Sequence, residues 1–324
     1  LQEPALDLSL VIPVYNEEEN IPLLYPAVTA ALKNLSQSWE MVLVDDGSRD
    51  GSLAELEKMA AADPQRVRVV ALRRNFGQTA AIAAGIDHST GEIVIMMDAD
   101  LQNDPADIPM MLQKLEEGYD VVSGWRKRRQ DQYLTRTLPS NLANGLISWV
   151  TGVQLHDYGC TLKVYRREVI TGFRLYGEMH RFIPVYANSV GARIVEMPVN
   201  HHARRFGKAK YGLERTIKVI LDLFTVKFLT SYASKPIYLF GGVGFAMFFI
   251  SMVLWLYLFV RRVIFVEAIG NSPILITAAV ILILGFQAIL MGLLAELQVR
   301  TYHESQGKPT YTVRKALNVE PKHE

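Results

Sequence analysis

In the first hundred residues, short unbroken apolar runs alternate with longer stretches of helical period. Leu8–Val14, Trp39–Val44, Val67–Ala71 and Glu92–Met97 are the apolar runs, and they read as strands buried on both faces. Between them, Glu18–Leu35, Leu53–Ala62 and Thr79–His88 place apolar residues at helical spacing. This alternation predicts an α/β fold built on a parallel sheet. Ligands of such sheets sit beyond the carboxyl ends of the strands, and the polar motifs of this chain follow the strands there.

The pattern changes past residue 215. Ile217, Ile220, Leu221, Phe224, Phe228 and Leu229 recur near helical spacing, with Lys218, Asp222 and Lys227 between them. Residues 215–236 therefore predict amphipathic helices lying on a membrane surface or packed on a core. From Ile237 to Val260, and again from Pro273 to about Leu294, no charged residue interrupts the chain. A helix of about 24 residues is about 36 Å long, enough to cross a hydrocarbon core of about 30 Å. The two runs predict a transmembrane hairpin.

The expected organisation is a catalytic domain at 1–214, juxtamembrane helices at 215–236, two spans within 237–299 and a tail at 300–324. Arg215, Lys218, Lys227 and Lys235 precede the spans and Arg300, Lys308, Arg314 and Lys315 follow them, whereas the turn carries only Arg261 and Arg262. That asymmetry predicts a multi-pass protein of the cell inner (plasma) membrane, its catalytic domain and both termini cytoplasmic. No apolar stretch precedes Asp7, so no signal peptide is expected.

Composition removes other classes. Hydrophobic residues are 50% of the 324, charged ones 21%, and Lys+Arg 34 against Asp+Glu 33 leaves a net charge of +1. A broadly basic nucleic-acid surface is excluded. A single cysteine, Cys160, excludes an internal disulfide framework and a multi-cysteine zinc site, and reads as small buried packing.

Three motifs carry chemistry. Asp98-Ala99-Asp100 ends a strand, so its two carboxylates can converge on one hard cation, with Gln102 adding an oxygen. Mg²⁺ or Mn²⁺ suits that donor set. Val44-Asp45-Asp46-Gly47-Ser48 also ends a strand. Its carboxylates can accept from a nucleobase or ribose, or the segment serves as a turn with Asp50 or Ser52 capping the next helix. In Pro13-Val14-Tyr15-Asn16-Glu17, Tyr15 can stack on a base, and Glu17 suits a first helical turn.

Taken together, these motifs resemble the family-2, GT-A-fold glycosyltransferases, and the resemblance implies an α/β nucleotide-sugar domain with a mixed, mostly parallel sheet. Arg73-Arg74-Asn75-Phe76-Gly77-Gln78, Gly124-Trp125-Arg126 and Arg204-Arg205-Phe206-Gly207-Lys208-Ala209-Lys210-Tyr211 resemble the polyprenyl-phosphate branch. Ala209 departs from the serine frequent there. The resemblance implies a metal-dependent enzyme that moves a hexose, with inversion, from a nucleotide sugar to a polyprenyl (undecaprenyl) phosphate at the cytoplasmic face. UDP-glucose is the favoured donor, ahead of a UDP-linked modified arabinose and GDP-mannose. A non-catalytic nucleotide-sugar-binding membrane subunit is the alternative of a different class.

By resemblance, Pro13, Tyr15, Glu17, Asp46, Gln78 and Asp98 contact the donor, and Asp98, Asp100 and Gln102 the metal. Arg126, Arg136, Ser140, Arg204 and Lys210 hold the acceptor phosphate, while Asp100 and Asp157 are the catalytic candidates. For Asp157, orienting a substrate and acting as a base both stay open. The implied partners are a homo-oligomer, a downstream flippase and a further glycosyltransferase, in lipopolysaccharide or other cell-envelope glycan modification.

Overall fold

The computed structural model describes residues 6–127, 138–171, 175, 179–203, 237–265, 272–305 and 311–319. They fall into two compact units, one of residues 1–224 with 309–324, the other of residues 225–308.

The first unit is an eight-stranded mixed sheet. Its strands are β1 (Leu8–Val14), β2 (Trp39–Asp45), β3 (Val67–Leu72), β4 (Ile93–Met96), β5 (Val121–Trp125), β6 (Lys163–Arg166), β7 (Ile194–Pro198) and β8 (Val313–Leu317). Their order across the sheet is β7-β5-β6-β4-β1-β2-β3-β8. The four amino-terminal strands pair in parallel as expected. β6 runs antiparallel to both β4 and β5, and β5 pairs in parallel with β7. β1 and β2 are buried along nearly their whole length, which explains why they read as continuous apolar runs rather than alternating ones.

The helices are α1 (Ile21–Leu32), α2 (Ser52–Ala62), α3 (Gln78–Asp87), α4 (Ile108–Glu116), α5 (Leu138–Thr151) and α6 (Ile183–Ser189). α1 starts three residues later than its periodicity suggested. The amides of Asn20 and Ile21 both donate to the Glu17 carbonyl, Asn16 takes φ 51°, and Pro22 opens the helix. The chain spends Glu17–Asn20 on a turn that delivers it from the strand. α3 is made of small residues because it lies tightly on the sheet: a Cβ at Gly85 would collide with Val11.

The C-terminal segment departs from expectation. Instead of a plain tail, residues 313–317 form β8, antiparallel to β3 at the sheet edge. Tyr311 donates its hydroxyl to Asp87 at 2.8 Å and is 8% exposed, and Asn318 donates to the carbonyls of Ala60 and Val67.

The second unit is a hairpin of α7 (Ile237–Val263) and α8 (Pro273–Ser305). Each is long and apolar enough to cross a membrane. Phe245, Phe249, Met252, Leu256 and Phe259 face outward, as do Ile276, Ile283 and Leu294. The two helices touch where both lack a side chain: a Cβ on Gly244 would lie 2.7 Å from the Gly285 carbonyl. Ser251 donates to the Ala278 carbonyl at 2.8 Å, a buried interhelical hydrogen bond. Small residues and hydroxyls at such crossings are how apolar helices associate when no hydrophobic drive separates them from lipid. The amphipathic stretch 215–236 lies outside the described residues.

Candidate active site

Sheet direction brings the motifs together. β1 to β4 are parallel, so Pro13–Glu17, Asp45–Ser48 and Asp98–Gln102 emerge at one edge. Reversal of β6 sends the residues before it, Asp157–Thr161, to that edge, and β5 and β7 end there with Arg126 and Asn200.

The loop after β2 is a rigid hub. Asp46 is 3% exposed and accepts the amides of Phe76 at 2.7 Å and Gly77 at 2.9 Å. Burial pushes its carboxyl up to about 6 against those hydrogen bonds. Its carboxylate thereby holds the Arg73–Gln78 loop in place beside the strand ends. Gly47 turns the chain at φ 66°, and a Cβ there would lie 2.6 Å from the Asn75 amide nitrogen, so only glycine fits. Asp50 accepts the Ser52 amide at 3.0 Å, but the N-cap of α2 is Gly51, without a side-chain cap hydrogen bond, so neither Asp50 nor Ser52 fills the capping position expected of it. Glu17 lies before α1 rather than in its first turn, and accepts from the Asn20 side chain at 2.7 Å.

Asp98 and Asp100 stand where the strand-end reading put them. Gln78 donates to Asp98 Oδ1 at 2.8 Å and Thr161 to Oδ2 at 2.9 Å. Asp100 is 7% exposed and accepts the Gln102 amide at 3.1 Å, across Leu101, whose φ is 55°. The turn between Asp100 and Gln102 is thus left-handed at a non-glycine residue, a conformation that costs about 1–2 kcal/mol and is held by its surroundings. Among the described residues no three His, Cys, Asp or Glu converge to hold an ion by themselves. Two carboxylates with an amide oxygen form a hard-oxygen donor set that suits Mg²⁺ or Mn²⁺ when phosphate and water complete the shell.

Arg126 and Asp157 meet. The Arg126 Nε donates to Asp157 Oδ2 at 2.7 Å and a terminal nitrogen to Oδ1 at 3.0 Å. Burial opposes the guanidinium charge, and the Asp157 carboxylate more than offsets it, so the Arg126 pKa lies above its ordinary range. The pair is itself supported. Glu196 on β7 accepts the amides of His156 and Asp157, and the His156 ring stacks on Trp125 at 4.5 Å.

Several residues here gave no signal in the sequence. Lys163 points inward from β6 at 3% exposure and donates to the carbonyls of Tyr158 and Cys160. Burial pulls its pKa down. Tyr165 lies two residues on, on the same face, fully buried. With Asp98, Thr161, His180 and Arg181 they line a cleft under the strand ends. Pro13 lines it as well. Cys160 is buried small packing as expected, its thiol pushed up to about 11 by burial.

Of the remaining expected residues, Tyr15 and Gln102 lie at this edge, partly exposed. Ser140 lies on α5, with its side chain outside the described residues, as are Arg136, Arg204 and Lys210.

The comparisons agree with this architecture. The family model described as "Glycosyl transferase family 2" matches residues 9–173. A dodecaprenyl-phosphate galacturonate synthase of Rhizobium johnstonii is 46% identical over 317 residues, 97% of this chain and 94% of the relative. An undecaprenyl-phosphate 4-deoxy-4-formamido-L-arabinose transferase of Yersinia pestis is 39% identical over 322 residues, 99% of this chain and 96% of that one. In fold, the chain is similar to the glucosyl-3-phosphoglycerate synthase of Mycobacterium tuberculosis, with a TM-score of 0.52 and 20% identity, covering 68% of this chain and 78% of that one. With this sheet, this site edge and these relatives, the chain belongs to glycosyl transferase family 2 and is a glycosyltransferase.

Proposed function

We propose that the protein transfers a glycosyl group, with inversion, from a nucleoside diphosphate sugar to a polyprenyl phosphate. The observation that carries this reading is the convergence of the Asp98/Asp100 pair and the Arg126–Asp157 fork at one edge of the sheet. The names of both close relatives contain a polyprenyl phosphate, while their sugars differ.

The chemistry suits these residues. A phosphate monoester carries about −1.5 to −2 charge at pH 7, so the acceptor attacks without first losing a proton. A dedicated base is unnecessary, and Asp157, locked to a guanidinium, serves better as a fixed anion that orients Arg126. Asp98, Asp100 and Gln102 would hold Mg²⁺ or Mn²⁺, which supplies positive charge to the departing diphosphate. Pro13, Tyr15, Glu17 and Gln78 border the donor, with Asp46 fixing the loop that carries Gln78. Ser140, Arg136, Arg204 and Lys210 are proposed for the acceptor.

Glucose, the first expectation, has no counterpart in the names of these two relatives. We place galacturonate and formamido-arabinose donors ahead of UDP-glucose, with GDP-mannose last. The α7–α8 hairpin is proposed to anchor the enzyme in the inner membrane. Both flanks of the hairpin would lie on one side, the cytoplasmic one, a reading supported by β8 rejoining the sheet that begins with β1. A flippase and a further glycosyltransferase would act on the product, and self-association is part of the proposal.

The test is nucleoside diphosphate release by the purified full-length protein, with and without undecaprenyl phosphate, across a panel of nucleotide sugars. Lipid-dependent release with a labelled lipid product is expected. Release that ignores the lipid, or no release with any donor, would overturn the proposal.

A further inference from the structure

Tyr311 follows both apolar helices in the chain, yet its side chain is built into the first unit. It is 8% exposed and belongs to an apolar cluster of β2, β3 and α3, against which Phe76 and Val313 pack. From α3 this cluster receives only alanines (Ala80, Ala81, Ala83 and Ala84), so the Tyr311 ring is its largest buried side chain. The hydroxyl donates to Asp87, the last residue of α3, at 2.8 Å. Burial and that carboxylate push the phenol pKa up, so the group stays a donor. The next residue, Thr312, accepts the Arg73 amide at 3.0 Å through its carbonyl.

These contacts meet both ends of one segment. Arg73 opens the loop that leaves β3, Gln78 begins α3 and Asp87 ends it. Asp46 holds the middle of the loop through the amides of Phe76 and Gly77, and Gln78 donates to Asp98 at 2.8 Å. The route from Tyr311 to a carboxylate of the candidate metal pair is therefore short. Tyr311 and Phe76 share a cluster, Phe76 lies two residues before Gln78, and Gln78 touches Asp98. Gly77, at φ 96°, has no side chain to brace the turn, and a Cβ there would meet nothing within 4 Å. The loop thus takes its place from Asp46 and from the cluster that Phe76 packs against. Without the Tyr311 ring that cluster holds a cavity into which Phe76 and the alanine face of α3 can relax.

We propose that Tyr311 is a positioning residue for the nucleotide-sugar site, which acts through Phe76 and α3 to hold Gln78 against Asp98, so that donor binding depends on a residue beyond the α7–α8 hairpin in the chain. The inference rests on the transferase reading above and adds a residue to its donor side. Arg126 and Asp157 are carried by β5 and by the segment before β6, and none of the contacts just described involves them.

The test is binding of UDP and of GDP, each with Mn²⁺, by isothermal titration of the full-length protein in detergent, which needs no turnover. The wild type should bind one of them. Tyr311→Ala should weaken that nucleotide about ten-fold, within the roughly 2- to 30-fold range of substitutions that act on a site at one remove. Tyr311→Phe keeps the ring and should retain most of the affinity, and Tyr311→Leu, which refills part of the cluster should the alanine variant not fold, should fall between. Loss of folded protein alone lowers the number of binding sites and leaves Kd as it was. An unchanged Kd in the alanine or leucine variant therefore overturns the proposal, whatever the melting temperature does. In a Gln78→Ala background, Tyr311→Ala should add little, because the contact it positions is gone. A full ten-fold loss there overturns the route. Lys315→Ala, on the same strand and paired with Glu57 at the surface, should leave Kd unchanged. A loss equal to that of Tyr311→Ala would assign the effect to the docking of β8 as a whole and overturn the role of the ring. In turnover, the KM of the nucleotide sugar should rise with Kd while that of undecaprenyl phosphate stays unchanged, and a rise confined to the lipid overturns the assignment to the donor side. Nucleotide binding without transfer from any donor overturns the transferase reading and leaves the role of Tyr311 at a nucleotide site standing. A wild type that binds neither nucleotide overturns both.

Discussion

Arg126 and Asp157, thirty-one residues apart in sequence, are joined by two parallel hydrogen bonds of 2.7 and 3.0 Å, with Asp157 only 2% exposed. By resemblance the sequence suggested separate tasks for them, an acceptor contact for Arg126 and, for Asp157, either orienting a substrate or acting as a base. Their union makes each the condition of the other. An ionised carboxylate in a guanidinium fork is a poor base at neutral pH, and the guanidinium cannot turn to a phosphate without exposing a buried anion.

Arg126→Met should therefore destabilise the protein by roughly 3–5 kcal/mol, since it strands the buried Asp157 carboxylate. The double variant Arg126→Met/Asp157→Leu should recover most of that loss in thermal melts while staying inactive. Asp157→Asn should keep turnover measurable with an unaltered pH profile from 6 to 9. A variant that is dead at every pH yet folded would make Asp157 the base.

The metal proposal gives a sharper loss. Asp100→Asn preserves the shape of the side chain and an oxygen for the Gln102 amide, so the melting temperature should change by little. Divalent-stimulated turnover should fall roughly 10²–10³-fold, the scale of removing one electrostatic contact from a reacting site. Turnover in that variant equal to wild type, and insensitive to EDTA, would remove Asp100 from the metal set.

Asp46 makes stability depend on pH. Its folded pKa, about 6, lies above the ordinary carboxylate value of 3.8 because it is buried. The folded state thus holds its proton more tightly than the unfolded chain does. The contribution is complete below about pH 4 and is lost as pH rises through 6, up to about 3 kcal/mol in all. Asp46→Asn lacks this titration. Melting temperatures from pH 4 to 7 should show the variant gaining on the wild type as pH rises. Parallel curves would mean that Asp46 is ionised throughout.

In the hairpin, Gly244→Val should cost more than Ser251→Ala. The first forces a side chain against the Gly285 carbonyl and Ile289, an overpacking penalty of about 1–3 kcal/mol. The second removes one interhelical hydrogen bond, about 0.6 kcal/mol on average in such settings. Unfolding of the full chain in mixed micelles by SDS titration would rank them.

The amino-terminal half of the fold was legible because parallel strands buried on both faces are continuous apolar runs, and their polar ends mark the site. Pro13, Asp46 and Asp98 stood out for that reason. β6 and β8 were not legible. β6 holds Lys163 at a fully buried position, where a charge argues locally against a core strand. β8 has the burial of an edge strand, with Arg314, Lys315 and Ala316 exposed, so it reads as a charged tail. Its place depends on a partner more than two hundred residues earlier, β3, that no local pattern announces. The Arg126–Asp157 contact was hidden for the same reason, as was Lys163 as a cleft residue. Both follow from the reversal of β6, which is a property of the sheet and not of any window of sequence.

The pairing of β8 with β3 also has a consequence for biosynthesis. Residues 313–317 leave the ribosome after both apolar helices have been made, so the outer edge of β3 has no partner until then. Until then the nascent domain presents an open strand edge with Val69, Val70 and Ala71 behind it, the kind of surface that recruits other chains. Finishing the sheet thus comes after the hairpin has been synthesised, and a chain stalled or truncated before Tyr311 would carry an incomplete domain whatever the state of its active-site residues.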